Sequence, residues 1–282
     1  MSAVPSRKLS TASGTDRKTR SIHYKTPDEI NTMREAGRIV ARAHAAMREV
    51  LRPGITTADL DRLAETVIRD HGAVPVFLGY PKRDSPDFPA SITASINNEL
   101  VHGIPSDTRV LQEGDIISLD TGCIYQGFVG DAAVTWAVGV VSPAVQRLLD
   151  VTEQALQVGI EASVMPNETK DVSHAIQRYV QKQGYSVVRD YTGHGVGEKM
   201  HEEPQVPNWW PRKKAKNQNG WQSYSLRPGL TYALEPMVNA GLPDTCELDD
   251  KWTVVTRDGS LCAHFEHTIA ITEDEPVILT LP

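Results

Sequence analysis

Cysteine is scarce in this chain of 282 residues: Cys123, Cys246 and Cys262 make an odd number, and no two form a Cys-x-x-Cys pair. That excludes a disulfide framework and a thiolate zinc knuckle, and it points to a reducing compartment. Long apolar runs are missing as well. Nothing approaches the ~18 consecutive apolar residues of a spanning helix, so no membrane segment is expected. The first 22 residues lack the apolar core of a secretory signal, which makes the cytoplasm the expected location, with import into an organelle as the alternative. Positive charge is in deficit, 29 Lys and Arg against 36 Asp and Glu for a net −7, and an acidic body does not wrap nucleic acid.

What basic charge there is gathers at the start. Residues 1–22 carry Arg7, Lys8, Arg17, Lys18 and Arg20 against Asp16 alone, a local +4 that leaves −11 for the rest. The opening is rich in Ser and Thr and nearly free of large apolar side chains. Residues 1–25 therefore read as a disordered basic extension that cannot bury enough surface to fold. A transit peptide and an electrostatic docking arm are the alternatives. Residues 26–282 then form a single domain with ample length for a core.

That domain repeats itself. Pro27-Asp28-Glu29 opens a helix with a stripe of Ile30, Met33, Ile39, Val40, Met47 and Val50. A break at Leu51-Arg52-Pro53-Gly54-Ile55-Thr56 precedes a second helix over Leu60, Leu63, Val67 and Ile68, which stops at Gly72. Val164-Met165-Pro166-Asn167-Glu168-Thr169 separates two later helical patterns in the same way. A displacement of 113 puts Pro53 on Pro166, Thr56 on Thr169, Leu63 on Ile176 and Val67 on Val180. Strand-rich sequence follows each helix pair. The chain reads as α+β, two related halves of helices around a shared antiparallel sheet, with chance likeness of two helix pairs as the alternative.

Acidic residues interrupt the strands. The segment from Asp115 to Trp136 reads as a hairpin reversing around Tyr125-Gln126-Gly127. A reversal centred between Tyr125 and Gln126 sets Asp120 opposite Asp131, and facing carboxylates repel. A shared proton, a basic side chain or a cation must neutralise them, unless the register differs or one Asp belongs to the turn. Thr192-Gly193-His194-Gly195-Val196-Gly197 adds a histidine between glycines. Leu230–Val238 is an apolar strand interrupted by Glu235 at a proline-marked end, and Leu261–Ile271 carries Glu266. Four acids and one histidine in apolar strand context have the composition of an oxygen-rich site for two divalent ions, whose charge would balance the four carboxylates.

The ordered set Val101-His102-Gly103-Ile104-Pro105, the aspartate hairpin, Thr192–Gly197, His201-Glu202-Glu203-Pro204, Glu235-Pro236-Met237 and Phe265-Glu266-His267-Thr268 resembles the type I methionine aminopeptidases from about Thr26 onward. The resemblance implies the pita-bread fold and hydrolysis of the initiator methionine from nascent polypeptides, with a small second residue preferred and a metal-bridging water as nucleophile. It implies Asp120, Asp131, His194, Glu235 and Glu266 as ligands of two divalent ions (Mn, Fe, Co or Zn), with Asp131 and Glu266 bridging. Glu235 is then the proton shuttle, His102 lies near the substrate amino terminus, and His201 donates to the carbonyl or its oxyanion. In the methionine pocket Tyr80 and Trp252 match the family. Met200 stands where Phe is usual, and Phe77 and Thr93 stand where Cys is frequent, all apolar or near-isosteric changes. A monomer is expected. A proline-directed relative and a binding protein on an inactive scaffold of this fold are the competing classes, and the second would lack a ligand.

The stretch 207–225 exceeds the short loop expected there. Its Arg212, Lys213, Lys214 and Lys216 alternate with Trp209, Trp210, Trp221 and Tyr224. It reads as a surface loop with its aromatics packed down, as a lid, or as a contact to ribosomal RNA or a nascent chain.

Overall fold

Local chemistry starts each of the four helices in the computed structural model, which describes residues 22–211 and 222–282. At α1 (Pro27–Val50) the Thr26 hydroxyl accepts from the Glu29 N–H at 3.3 Å, and the Glu29 carboxylate accepts from the Thr26 N–H at 2.7 Å. This reciprocal box satisfies two donors that the first turn would otherwise leave open. Thr56 and Asp59 repeat it at α2 (Thr57–Asp70), and at α4 (Thr169–Lys182) the Asp171 carboxylate accepts from the Glu168 N–H at 2.9 Å. Ser142 caps α3 (Pro143–Glu161), with Pro143 placed where its missing N–H costs nothing.

The duplication is present, with a displacement of 112 rather than 113. Both α2 and α4 have 14 residues, and their starts, Thr57 and Thr169, are both fully buried. Thr57 Oγ1 accepts from the Ser106 N–H at 2.9 Å, and Thr169 Oγ1 accepts from the Tyr224 N–H at 3.1 Å. At this displacement the fully buried Leu60, Ala64 and Ile68 fall on Val172, Ile176 and Val180, buried residue on buried residue. The displacement of 113 matched Leu63 and Val67, which are only partly buried.

The strands form antiparallel ladders in four groups. In the first half Ile116–Tyr125 pairs with Phe128–Ala137, Ile92–Ile96 and Val74–Pro75. In the second, Thr231–Leu234 lies between Gly193–Gly195 and His267–Ala270, while Met237–Asn239 lies between Cys262–His264 and Ser186–Val187. A smaller group joins Glu99–Val101, Val254–Thr256 and Thr245–Glu247. The halves are sewn together where Ala133 and Glu266 exchange backbone bonds of 2.8 and 3.4 Å. Thr135 Oγ1 extends the seam, donating to the His264 carbonyl at 2.7 Å.

Helices α1 and α2 cover the first sheet with Ile39, Val40, Met47 and Leu60 against Ile92, Ile117 and Leu119. Helices α3 and α4 cover the second with Leu148, Leu156, Val172 and Ile176 against Tyr232 and Leu234. A third cluster, with Met33, Phe77, Phe88, Val196, Met200 and Trp252, fills the space beside the seam. The extension expected over 1–25 falls outside the described residues as far as 21. Its last four residues belong to the body. Ile22 packs on the α3–α4 core, and the Lys25 ammonium is buried against Glu202 at 2.5 Å. Among the described residues no helix is long and apolar enough to cross a membrane.

Candidate metal centre and substrate pocket

The hairpin carrying Asp120 and Asp131 reverses one residue later than expected. Tyr125 pairs with Phe128, so the turn residues are Gln126 and Gly127, at φ of 48° and 86°. Two successive positive φ values are what a two-residue turn matched to strand twist requires, and a glycine at its second position favours it. Asp120 therefore pairs with Ala133 and Asp131 with Gly122. The correction shifts the pairing by two residues, which preserves the sheet face. The two carboxylates are diagonal neighbours rather than directly opposed, still within reach of each other.

Glu235 and Glu266 sit where strands change ladder. Thr231–Leu234 ends at Glu235-Pro236 and resumes as Met237–Asn239 in another group, and Cys262–His264 passes to His267–Ala270 across Phe265-Glu266. Pro236 has no N–H to continue a ladder. Each break turns its glutamate toward the seam. The glycines flanking His194 are required by neighbouring backbone: a Cβ on Gly193 would lie 2.4 Å from the Ala233 carbonyl oxygen, and one on Gly195 2.3 Å from that of Glu203.

All five residues are buried, none more than 9% exposed. Ligand atoms of Asp131, His194 and Glu266 lie within 4.8 Å of one another. His194 Nδ1 lies 3.0 Å from the Gly195 carbonyl, which can only accept, so Nδ1 carries the proton and Nε2 presents its lone pair. That Nε2 is 3.9 Å from Asp131 Oδ2 and 3.6 Å from Glu235 Oε1. Burial pushes the Asp131 carboxyl up to about 7. It raises Asp120, Glu235 and Glu266 well above the usual carboxylate range, helped in each by the charge of Asp131. Burial also holds His194 down at about 3, so the ring is neutral. Asp120 Oδ1 and Asp131 Oδ1 are buried without a hydrogen-bond partner. Acceptors of that kind, massed with a neutral imidazole, are costly to fold without cations and suited to holding them.

Every residue expected at the site lines one cavity of about 180 Å³: the five above with Phe77, Tyr80, Thr93, His102, Met200, His201 and Trp252. That volume is below the roughly 300–1,000 Å³ of drug-sized pockets, which suits a single side chain and a chain terminus. Phe77, Met200 and Trp252 are buried in the seam cluster with Tyr80 against it. The Tyr80 hydroxyl is 2.7 Å from His201 Nδ1. Desolvation and the charge of Asp131 raise the phenol, so it keeps its proton and is able to donate it. With the phenol as donor, His201 would carry its own proton on Nε2. Its ring lies 4.2 Å from that of His194, and desolvation lowers its pKa. His102 has a φ of 61°, a conformation that costs a non-glycine residue energy. Its ring meets the edges of Tyr191 and Trp252 at 5.9 and 6.2 Å, and desolvation pushes it down to about 4.

One buried histidine escaped the sequence reading. His264 Nε2 lies 3.6 Å from Glu235 Oε2, its ring is held neutral at about 3 by burial, and neither nitrogen has a hydrogen-bond partner. Its position two residues before Glu266, on the same face of an extended chain, was the available signal. Phe88, Tyr191 and Met237 also line the cavity without having stood out.

The stretch 207–225 is described only at its ends. Trp209 packs against the α3–α4 core, with its Nε1 donating to the Arg189 carbonyl at 3.2 Å and the Arg189 guanidinium 5.3 Å over its ring. Arg212, Lys213, Lys214, Lys216 and Trp221 lie outside the described residues.

Residues 31–273 match the model of metallopeptidase family M24. Methionine aminopeptidase 1 of Bacillus subtilis is 49% identical over 259 residues, covering 92% of this chain and 99% of that protein. The Escherichia coli methionine aminopeptidase is 37% identical, with 93% and 94% covered. The crystal structure of methionine aminopeptidase from Thermotoga maritima superposes with a TM-score of 0.85 at 42% identity, over 93% of this chain and all of that one. The prolidase of Pyrococcus furiosus, at 20% identity and a TM-score of 0.71, shares the fold. The chain belongs to metallopeptidase family M24, among its methionine aminopeptidases.

Proposed function

We propose that the chain removes the N-terminal methionine of nascent polypeptides with two divalent cations held by Asp120, Asp131, His194, Glu235 and Glu266. One observation carries the reading: four buried carboxylates and the lone pair of a neutral imidazole converge beside an apolar pocket, and two of the carboxylate oxygens lack any partner. Bound there, the cations would supply Lewis acidity and a water acidic enough to attack a peptide carbonyl at neutral pH.

The protein's own groups do the rest. Phe77, Met200 and Trp252 exclude water from the first side chain, and Tyr80 and Thr93 complete its wall. His201, held by Tyr80 with Nε2–H free, donates to the carbonyl oxygen as charge develops on it. His102 is neutral and ringed by aromatics, so it accepts a hydrogen bond from the substrate amino terminus. Glu235 takes the proton from the attacking water and delivers it to the departing amine, with the His264 ring beside it. A cavity of about 180 Å³ leaves little room beyond the first side chain, which favours a small second residue.

Metal analysis beside turnover of Met-Ala-Ser and Met-Lys-Ser tests this. Two metal equivalents and fast methionine release from the first peptide alone are expected. Release from Xaa-Pro peptides instead would transfer the reading to the proline-directed relatives. The proposed enzyme is a monomer in the cytoplasm, and its basic extension or the 207–225 loop contacts the ribosome. Salt-dependent co-sedimentation that is lost on shortening 212–221, with peptide turnover retained, is the expected result.

A further inference from the structure

The indole of Trp252, one wall of the pocket, takes its hydrogen bond, an edge-on ring contact and an overlying cation from a single loop. Backbone bonds close that loop at its base, Gly79 N–H to the Phe88 carbonyl at 2.8 Å and Phe88 N–H to the Tyr80 carbonyl at 2.9 Å. From within it the Pro86 carbonyl accepts from Trp252 Nε1 at 2.9 Å, and Phe88 meets the ring edge-on at 5.1 Å. The Lys82 ammonium stands 5.0 Å over the ring face. Lys82 also reaches past the indole: it donates to the Glu247 carboxylate and to the Lys251 carbonyl, at the two ends of the segment leading into Trp252.

We propose that Lys82 and Glu247 form a latch that clamps residues 80–88 onto residues 247–252, and that Lys82 is a positioning residue for the Trp252 wall and thus for recognition of the first side chain. The inference rests on the proposed peptidase reading, since it names what sets the selectivity of that same pocket. Three features favour a role beyond general stability. The pair is about one-third exposed, 32% for the Lys82 side chain and 38% for Glu247, so it contributes little to folding. The Trp252 ring beneath it is buried and faces His102. The same loop carries Tyr80, which holds His201. An unlatched loop would leave the indole to be ordered by the substrate, at a cost in binding rather than in the chemical step. An unbranched thioether gains most from a fixed slot, so loosening the wall also weakens discrimination against branched and aromatic side chains.

The test uses the full-length, metal-loaded protein with Met-Ala-Ser and Leu-Ala-Ser. In Lys82→Met, which keeps the apolar stem and loses the charge, KM for Met-Ala-Ser should rise about three- to ten-fold. Values of kcat within two-fold and unchanged metal content are expected, with a smaller preference for Met over Leu. Glu247→Gln should move KM the same way by less. Lys82→Arg, which retains both the ion pair and the contact with the ring, should restore wild-type values. Hydrogen exchange should quicken over 80–88 and 247–252 in Lys82→Met alone among the two Lys82 variants. An unchanged KM in Lys82→Met, a loss confined to kcat, a fall in metal content, or unaltered exchange would each overturn the latch. Wild-type turnover of Met-Ala-Ser is the separate control: its absence defeats the peptidase reading, not the latch.

Discussion

Replacing Asp131 with Asn should make the metal-free protein more stable, although it destroys the site. Asp131 is 1% exposed, its Oδ1 has no partner, and its charge raises the pKa of Asp120, Glu235 and Glu266. A carboxyl moved by burial from 3.8 to about 7 binds its proton more tightly when folded than when unfolded. Its contribution to stability is fully present below pH about 4 and is lost as the pH rises through about 7, an effect on the order of 4 kcal/mol. Asparagine has nearly the same shape and no charge to desolvate. The metal-free Asp131→Asn protein should therefore exceed the metal-free wild type by about 2–4 kcal/mol at pH 8, with the gap closing toward pH 4. The lowered values of His44, His194 and His264, all about 3, weaken both proteins together in acid, so the difference between them is the quantity to read. Added metal should reverse the order by stabilising the wild type alone. Urea unfolding at pH 4, 6 and 8, with and without chelator, measures all of this. Equal metal-free stabilities at pH 8, or a gap that widens toward pH 4, would refute the reasoning.

Two further outcomes follow from the geometry. His194→Ala should lose metal and turnover together, whereas His201→Ala should keep its metal and lose about two orders of magnitude in kcat, with Tyr80→Phe about ten-fold down because the His201 tautomer is no longer fixed; metal analysis beside steady-state kinetics distinguishes the three. Gly103→Ala places a Cβ 2.4 Å from the Ala94 carbonyl oxygen and 2.9 Å from the Ser95 Cα, both backbone atoms, so a loss of about 3 kcal/mol is expected in urea unfolding.

Much of this protein is written in short-range chemistry. Thr26 with Glu29 and Thr56 with Asp59 mark helix starts because their bonds close within four residues. Asp120, Asp131, Glu235 and Glu266 stand out because charge in an apolar strand has to be compensated, whatever the fold, and His194 because it lies between glycines. Details that depend on distant backbone were not legible. The hairpin register was misjudged by two residues, because a turn is decided by which backbone angles the paired strands accept. The displacement of 112 appears only when burial shows which residues of α2 and α4 face the sheets. His264 shares its spacing with Glu266, but that it faces Glu235 at 3.6 Å follows only from the pairing of Cys262–His264 with Met237–Asn239. Lys82 and Trp252, 170 positions apart, carry no mark of each other, and neither do Lys25 and Glu202. Such pairs meet only after two halves have packed about a common seam, and packing is a property of the whole chain rather than of any window of it.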